Sequence, residues 1–201
     1  VWRWLPGVTV TSMGSERYTA MSRGYGINAY QLDGLPTKVD MSTQTVPQSL
    51  ADLVLFDRVE VLRGAAGLAV GAGDPSGTLN FIRKRPTRDA QGYVSAGVGS
   101  WNKYRTEVDV SGPLNEAGTL RGRAVAAYQK NDTHLDYYSQ EKKVLYGVLE
   151  ADLTDSTTLT AGLSYEEDDP RGASIGTGLP LFYSNGERTN FSRSTNLSSR
   201  H

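Results

Sequence analysis

The sequence predicts a β-rich protein in two parts, an irregular first half and a second half of about five long strands. In the second half, apolar and polar residues alternate with period two over segments of roughly ten residues. The 201 residues include 22 Gly and 11 Tyr but only 4 Phe, which is typical of turn-rich β structure. Charge also divides the chain, with ten basic and seven acidic residues up to Arg88 and eleven and fifteen after it. The predicted domains are therefore 1–88 and 89–201.

Each of the five alternating segments has one apolar face. In chain order these faces are Val94, Ala96 and Val98; Tyr104, Thr106, Val108 and Val110; Leu120, Gly122, Ala124, Ala126 and Tyr128; Leu145, Gly147, Leu149, Ala151 and Leu153; and Leu159, Ala161, Leu163 and Tyr165. The opposite faces are polar or charged and include Arg105, Glu107, Asp109, Arg121, Arg123, Tyr146, Glu150, Asp152 and Glu166. Because side chains alternate along a strand, each segment is predicted to separate an apolar surface from a polar one.

Two interpretations of these strands remain open, membrane β-barrel strands and a soluble β-domain. Segments of about ten residues match membrane strands better than soluble ones, which average ~5–6 residues. Aromatic residues near the strand ends fit an interfacial girdle, namely Tyr93, Trp101, Tyr104, Tyr128 and Tyr165. Short turns at 112–118 and 154–157 contrast with longer connections at 130–143 and 167–193. Five strands cannot close a barrel, so the membrane interpretation implies that the chain is a fragment.

Composition argues against several functions. The absence of Cys excludes disulfides, Cys-ligated zinc and thiol catalysis, and two His residues leave little for a metal cage or a catalytic triad. The net charge of −1 disfavours a general nucleic-acid binder. No catalytic motif or nucleophile–base pair is evident, and no signal peptide is visible at the start. We therefore expect no enzyme activity, no catalytic residues, no cofactor and no protein-bound metal.

Two charged runs have a simple interpretation each. The basic run 83–88 is interpreted as a junction between the halves rather than a nucleic-acid site. The acidic run 166–169 is interpreted as part of a solvated extracellular loop, with cation binding as the alternative. In the first half, residues 58–62 and 78–83 are predicted to form short strands, and Asp33-Gly34 is predicted to form a hairpin turn.

The first half also contains a series of motifs that resembles a known family. They are PGV at 6–8, SRGY at 22–25, LDG at 32–34, DRVEVLRG at 57–64 and GAGDPSGTLNFIRKRP at 71–86. Together they resemble the plug domain of TonB-dependent outer-membrane receptors, and most closely the ferric-siderophore receptors of the hydroxamate and pyoverdine kind. The resemblance implies an α+β plug with a small mixed sheet, followed by the first ~5 antiparallel strands of a 22-stranded transmembrane β-barrel.

The resemblance also implies roles for individual residues. Arg23 and Arg63 match family arginines that contact glutamates on the barrel wall, so these two and the neighbouring Glu60 are predicted to couple plug and barrel. The predicted ligand contacts are Arg17, Tyr18, Tyr25, Tyr30 and Met41, with local packing as the alternative for each. Iron would arrive already coordinated by the siderophore, so no protein ligand to iron is expected.

The implied function is active import across the bacterial outer membrane. A ferric siderophore would bind at the cell surface, and the TonB–ExbB–ExbD complex would supply energy through a TonB box that this chain lacks. The implied surroundings are outer-membrane lipid, with no nucleic acid. Alternatives are a soluble β-rich ligand-binding module and a TonB-dependent receptor for another ligand, such as a ferric catecholate, haem or cobalamin.

Overall fold

A computed structural model describes residues 7–12, 18–37, 52–62, 76–173 and 179–196. The chain divides into two compact units, and the change from one to the other falls between Arg83 and Lys84. The sequence predicted a boundary five residues later, and that placement stays a prediction. Within the described residues, no helix is both long and apolar enough to cross a membrane.

The first unit contains a three-stranded antiparallel sheet. Strands β1 (Thr9–Ser12), β2 (Tyr18–Ser22) and β3 (Tyr25–Gly26) follow one another in space as in sequence. Arg23 and Gly24 form the two-residue turn between β2 and β3, with φ values of 54° and 84°. Two successive positive φ values are typical of the turn that matches the twist of a hairpin.

The same unit contains a four-stranded mixed sheet. Its strands are β4 (Ala29–Leu32), β5 (Leu35–Thr37), β6 (Phe56–Leu62) and β7 (Thr78–Arg83), in the spatial order β5-β4-β7-β6. Strands β4 and β7 run parallel, and the other pairs are antiparallel. The structure confirms the two predicted strands and the hairpin turn at Asp33, which joins β4 to β5.

The core of this sheet is small and aromatic. Leu79 and Phe81 on β7 are fully buried, and the Phe56 ring meets the Phe81 ring edge to face at 5.2 Å. A 3-10 helix at Leu53–Leu55 adds Val54 and Leu55 to the buried set. The mixed sheet confirms the predicted fold class. Among the described residues, however, this short turn is the only helix, so the predicted α component is not seen there.

The second unit contains one antiparallel five-stranded sheet in the spatial order β12-β11-β10-β9-β8. Its strands are β8 (Gln91–Gly99), β9 (Lys103–Pro113), β10 (Leu120–Asp132), β11 (Ser139–Thr154) and β12 (Thr157–Arg171). All five predicted strands are present, and several are longer than predicted. The connection expected at 130–143 shortens to 133–138. The acidic run 166–169 lies within β12, which corrects its assignment to a loop.

The predicted faces of the sheet are confirmed by the register. Leu149 on β11 lies beside Gly122 of β10 and Ala161 of β12, so apolar residues adjoin across neighbouring strands. Most large side chains of this apolar face are exposed, including Val94, Val98, Val110, Leu145, Leu149, Leu159 and Leu163. The opposite, polar face contains the buried Asp109, Arg121 and Glu150.

One predicted aromatic position differs from the expectation. Tyr93 was grouped with the interfacial girdle, but it pairs with Asp109 and so lies on the polar face. The ammonium of Lys84 is 5.5 Å from the centroid of its ring. The alternation of β8 already requires this placement, because Tyr93 and the apolar Val94 are adjacent in sequence.

The connections at one end of the sheet are hydrogen-bonded to one another. Asp132 donates its backbone N–H to the Trp101 carbonyl at 2.8 Å, which links the β8–β9 turn to the end of β10. Asp136 donates its N–H to the Ser194 carbonyl at 2.7 Å, which links the 133–138 connection to the segment after β12. At the other end, the described strands are joined by the short turns 114–119 and 155–156. Short turns at one end and longer connections at the other agree with the sequence prediction.

Gly172→Ala should loosen this set of connections. Gly172 has φ +66°, and a Cβ built there would overlap the backbone carbonyl of Tyr137. Gly186→Ala is the matched control, because Gly186 has φ +84° but open space around it. Strain plus overlap should cost roughly 1 to 3 kcal/mol more than strain alone. We expect faster surface proteolysis of 173–196 in cells that carry the full-length Gly172→Ala protein. Equal rates for both variants would contradict the predicted overlap.

Candidate functional site

A chain of polar contacts crosses the mixed sheet of the first unit. Asp33 accepts hydrogen bonds from the backbone N–H of Arg83 at 2.9 Å and from its Nε at 2.6 Å. Asn80 Oδ1 accepts from the Gly34 N–H at 2.9 Å, and Asn80 Nδ2 donates to Glu60 at 3.0 Å. These contacts join the LDG motif at 32–34 to the TLNFIR part of the motif at 71–86. Each side chain stabilises a backbone turn or a strand of the other motif.

Glu60 is the last residue in this series of contacts, and its hydrogen-bond donors, Arg58 and Asn80, belong to the same unit. Arg58 Nε donates to Glu60 Oε1 at 2.9 Å, while Asn80 donates to the other carboxylate oxygen. Hydrogen bonds from Arg58 and then Asn80 lower the pKa of the Glu60 carboxyl below its ordinary value. The proposed coupling of Glu60 to another domain is therefore untested, and its described partners belong to the same sheet.

Glu60→Gln should reduce the acid sensitivity of this sheet. Because the pKa of Glu60 is lowered by folding, its stabilising effect is present above the ordinary value of 4.5 and is lost as pH falls through the folded pKa. We expect amide exchange of β6 and β7 in the full-length protein to rise less in the variant between about pH 6 and about pH 3. Glu116→Gln, in the exposed 114–119 turn, is the control. Identical acid responses of the two variants would contradict this role of Glu60.

The predicted ligand contacts differ in how exposed they are in the structure. Tyr18 begins β2, and Tyr25 lies in β3 with 58% of its surface exposed. Tyr30 is only 3% exposed, and burial raises the pKa of its hydroxyl to about 12. For Tyr30 the geometry favours the alternative of local packing. Two further candidates, Arg17 and Met41, lie outside the described residues, so their roles stay predictions.

Only one of the two predicted coupling arginines lies within the described residues. Arg63 lies outside the described residues. Arg23 is exposed at the β2–β3 turn, and no described carboxylate lies within ion-pair distance of it. A guanidinium so placed is available to a carboxylate elsewhere in a longer protein. Its predicted role is not tested by the described residues.

The polar face of the second unit holds a buried charge cluster that the sequence interpretation missed. Asp109 is 3% exposed and accepts hydrogen bonds from Lys84 Nζ at 2.7 Å and from Arg123 Nε and Nη2 at 2.8 Å each. Nearby, Arg121 forms a bidentate pair with Asp152 at 2.6 and 2.9 Å. The available signal was charge at alternating positions on facing strands, which places such residues on one surface.

Two residues of the acidic run of β12 are paired with lysines of the neighbouring strand. Lys142 lies 3.4 Å from Asp168, and Lys143 lies 3.6 Å from Glu167. Across the ranges that the structure describes, no three His, Asp or Glu residues are grouped to hold a metal ion. The run therefore contributes cross-strand ion pairs there.

Comparison with known proteins assigns the chain to a family. Residues 1–78 match the TonB-dependent Receptor Plug Domain. The chain is 50% identical over 195 residues to the ferric-pyoverdine 358 receptor of Pseudomonas putida, which covers 97% of this chain and 23% of that protein. The pyoverdine outer-membrane receptor FpvA from Pseudomonas aeruginosa PAO1, solved with bound pyoverdine, has 46% identity and a TM-score of 0.88, covering 95% of this chain and 28% of that one.

Residues 1–78 therefore belong to the plug-domain family of TonB-dependent receptors, and nearly the whole chain is similar to outer-membrane receptors that carry this domain. More particularly, it resembles the ferric-pyoverdine receptors within that family, including the ferripyoverdine receptor of P. aeruginosa PAO1 at 46% identity over 196 residues. It spans about a quarter of the length of these curated relatives (23% and 24%). In family terms, the first unit contains plug sheets, and β8 to β12 are barrel strands.

Proposed function

We propose that this chain is part of a receptor that binds a ferric siderophore of the pyoverdine kind at the cell surface and imports it into the periplasm. Transport would use energy from the TonB–ExbB–ExbD complex, and the receptor would lie in the bacterial outer membrane. The observation that carries this proposal is the joining, in one chain, of a plug sheet to strands with an exposed apolar face and an ion-paired polar face.

The two faces of the barrel strands support a membrane location. Leu163 is 79% exposed and Val98 is 85% exposed, although both are apolar. In water, a continuous surface of this kind would be an aggregation hazard, whereas lipid would cover it. On the other face, Asp109 and Arg121 are buried with oppositely charged partners. Such pairing is expected for a barrel interior that is occupied by other segments of the protein.

Similarity supports pyoverdine above other ligands. The relatives with 46–50% identity over nearly the whole chain are ferric-pyoverdine receptors. Ferric hydroxamates, ferric catecholates, haem and cobalamin are the competing ligand classes.

The test is uptake by the full-length receptor in a Gram-negative strain that lacks its own siderophore synthesis and receptors. Radioactive-iron uptake would be compared for ferripyoverdines, a ferric hydroxamate, a ferric catecholate and haem, with labelled cobalamin assayed alongside. We expect iron uptake with a ferripyoverdine only, and only when TonB is present. The receptor itself should be recovered in the outer-membrane fraction. Uptake of another compound alone would reassign the ligand. Recovery of the protein in the soluble fraction would favour the soluble-module alternative.

Arg23→Ala combined with Arg63→Ala should weaken the attachment of the plug and slow uptake. The exposed Arg23 guanidinium, which lacks a described carboxylate partner, supports the idea that wall glutamates bind these arginines. Loss of one partner of a buried pair costs about 3 to 5 kcal/mol, because the remaining charge is left unpaired. Denaturant unfolding of the plug and uptake would both be measured in the full-length receptor, with Arg188→Ala as an exposed control. Unchanged stability and uptake would refute the coupling role.

A further inference from the structure

Residues 84–87 are the first part of the connection 84–90 between the last plug strand and the barrel strands, and they belong to no strand of the described structure. Three of their backbone groups nevertheless form hydrogen bonds with side chains of the barrel sheet. The Tyr146 hydroxyl, from β11, donates to the Lys84 carbonyl at 2.9 Å. The Arg123 guanidinium, from β10, donates to the Arg85 carbonyl at 3.0 Å. An extended segment without such partners would leave its polar groups to water.

A third barrel strand holds the end of this segment. The Thr87 backbone N–H donates to the Ser111 Oγ of β9 at 2.8 Å, and the Thr87 hydroxyl donates to the same oxygen at 2.8 Å. Side chains from β9, β10 and β11 therefore each bind a different residue of the segment. Such a pattern fixes the path of the chain across the polar face.

The side chain of Lys84 adds a charged contact to these backbone contacts. Its ammonium lies 2.7 Å from Asp109, is only 11% exposed, and shares that carboxylate with Arg123. If Lys84 were removed, the bidentate contact between Arg123 and Asp109 would remain. The Lys84 ammonium therefore contributes more to holding the connecting segment in place than to stabilising the barrel sheet. We name these contacts of Lys84 with Asp109 and Tyr146 the Lys84 clamp.

Neighbouring residues of the basic run have partners in different units. Arg83 pairs with Asp33 of the plug sheet, whereas the next residue, Lys84, pairs with Asp109 of the barrel sheet. Two firmly bound segments thus meet at one peptide bond.

We propose that Lys84 is a positioning residue for transport, because the Lys84 clamp fixes the plug's C-terminal boundary to the barrel strands while the plug rearranges. This inference rests on the proposed transport function. A pull on the plug can rearrange it only against a point that does not move. Without the clamp, part of the displacement would be taken up by residues 84–87.

The clamp itself can be tested without any ligand. Lys84→Met combined with Tyr146→Phe removes both of its contacts and leaves the Asp109–Arg123 pair. We expect the amides of Lys84, Arg85 and Thr87 in the full-length receptor to exchange roughly tenfold faster or more, while those of β9 and β10 stay unchanged. Lys143→Met is the matched control, since Lys143 pairs with Glu141 at 3.4 Å and does not contact the segment. Unchanged exchange at 84–87 would overturn the clamp.

The positioning role is tested by transport kinetics with the ferripyoverdine that the native receptor imports. We expect the double variant to lower the maximal uptake rate by roughly threefold or more, with an unchanged half-saturating concentration. Lys84→Arg, which keeps the charge, should retain most of the rate. A released segment with an unchanged uptake rate would overturn the positioning role. If the native receptor imports no siderophore, the proposed function fails, and the exchange result still decides whether the clamp exists.

Discussion

Asp109→Asn in the full-length receptor is expected to destabilise the barrel strands more than any other single change on their polar face. The substitution keeps the shape of the side chain but removes the one negative charge shared by Lys84 and Arg123. These cations are 11% and 14% exposed, so little water is available to replace the carboxylate. Breaking a buried ion pair by removing one partner costs about 3 to 5 kcal/mol.

The measurement for Asp109→Asn is the urea midpoint of the purified receptor, together with the fraction of folded protein in the outer membrane. Asp169→Asn is the matched control, because Asp169 is 56% exposed and lies 3.6 Å from Arg171. A surface pair of this kind contributes about 0 to 1 kcal/mol. Coinciding midpoints for the two variants would show that the cluster is not a stabilising element.

Phe81→Ala should have the largest effect on the plug sheet. Phe81 lies on β7, is fully buried, and packs edge to face against Phe56 at 5.2 Å. Strand β7 pairs with both β4 and β6, so a cavity there affects both neighbours. Truncation of a buried Phe costs about 3 to 5 kcal/mol, through lost burial and an unfilled cavity.

Amide exchange of β4, β6 and β7 in the full-length receptor would report the Phe81→Ala effect. Leu35→Ala provides the comparison, because Leu35 lies on the neighbouring β5 and is 71% exposed. We expect faster exchange throughout the sheet for Phe81→Ala and little change for Leu35→Ala. A barrel sheet that keeps its exchange rates in both variants would place the effect within the plug. Equal exchange for the two variants would contradict the importance of this core.

The barrel strands were predictable because their pattern is local. Alternation assigns each residue to a face without knowledge of the partner strand, so Leu149 and Glu150 were correctly placed on opposite faces. Strand ends were less predictable. The acidic residues of β12 suggested a loop, but Lys142 and Lys143 of β11 form ion pairs with two of them across the ladder. That compensation depends on register, which a single sequence does not specify.

The charge cluster was not predictable for a related reason. Lys84 and Asp109 are separated by 25 positions, and they meet only because the connecting segment crosses the polar face. The basic run was interpreted as a junction, and nothing in it distinguishes Lys84 from Arg83. Resemblance to a family identified the motif containing Arg23 but could not supply its partner. Long-range pairing is thus the information that composition and periodicity lack.

The turn at Arg23 and Gly24 has a cost in local stability. A left-handed conformation is unfavourable for a residue with a Cβ by roughly 1 kcal/mol, and Asn or Gly would fit this position of a tight hairpin better. Strand β3, on the far side of the turn, is only two residues long. The hairpin therefore gives up part of its own stability to present a long cationic side chain at its tip. It should be among the first parts of the plug to open under load, before the aromatic core of the mixed sheet is disturbed.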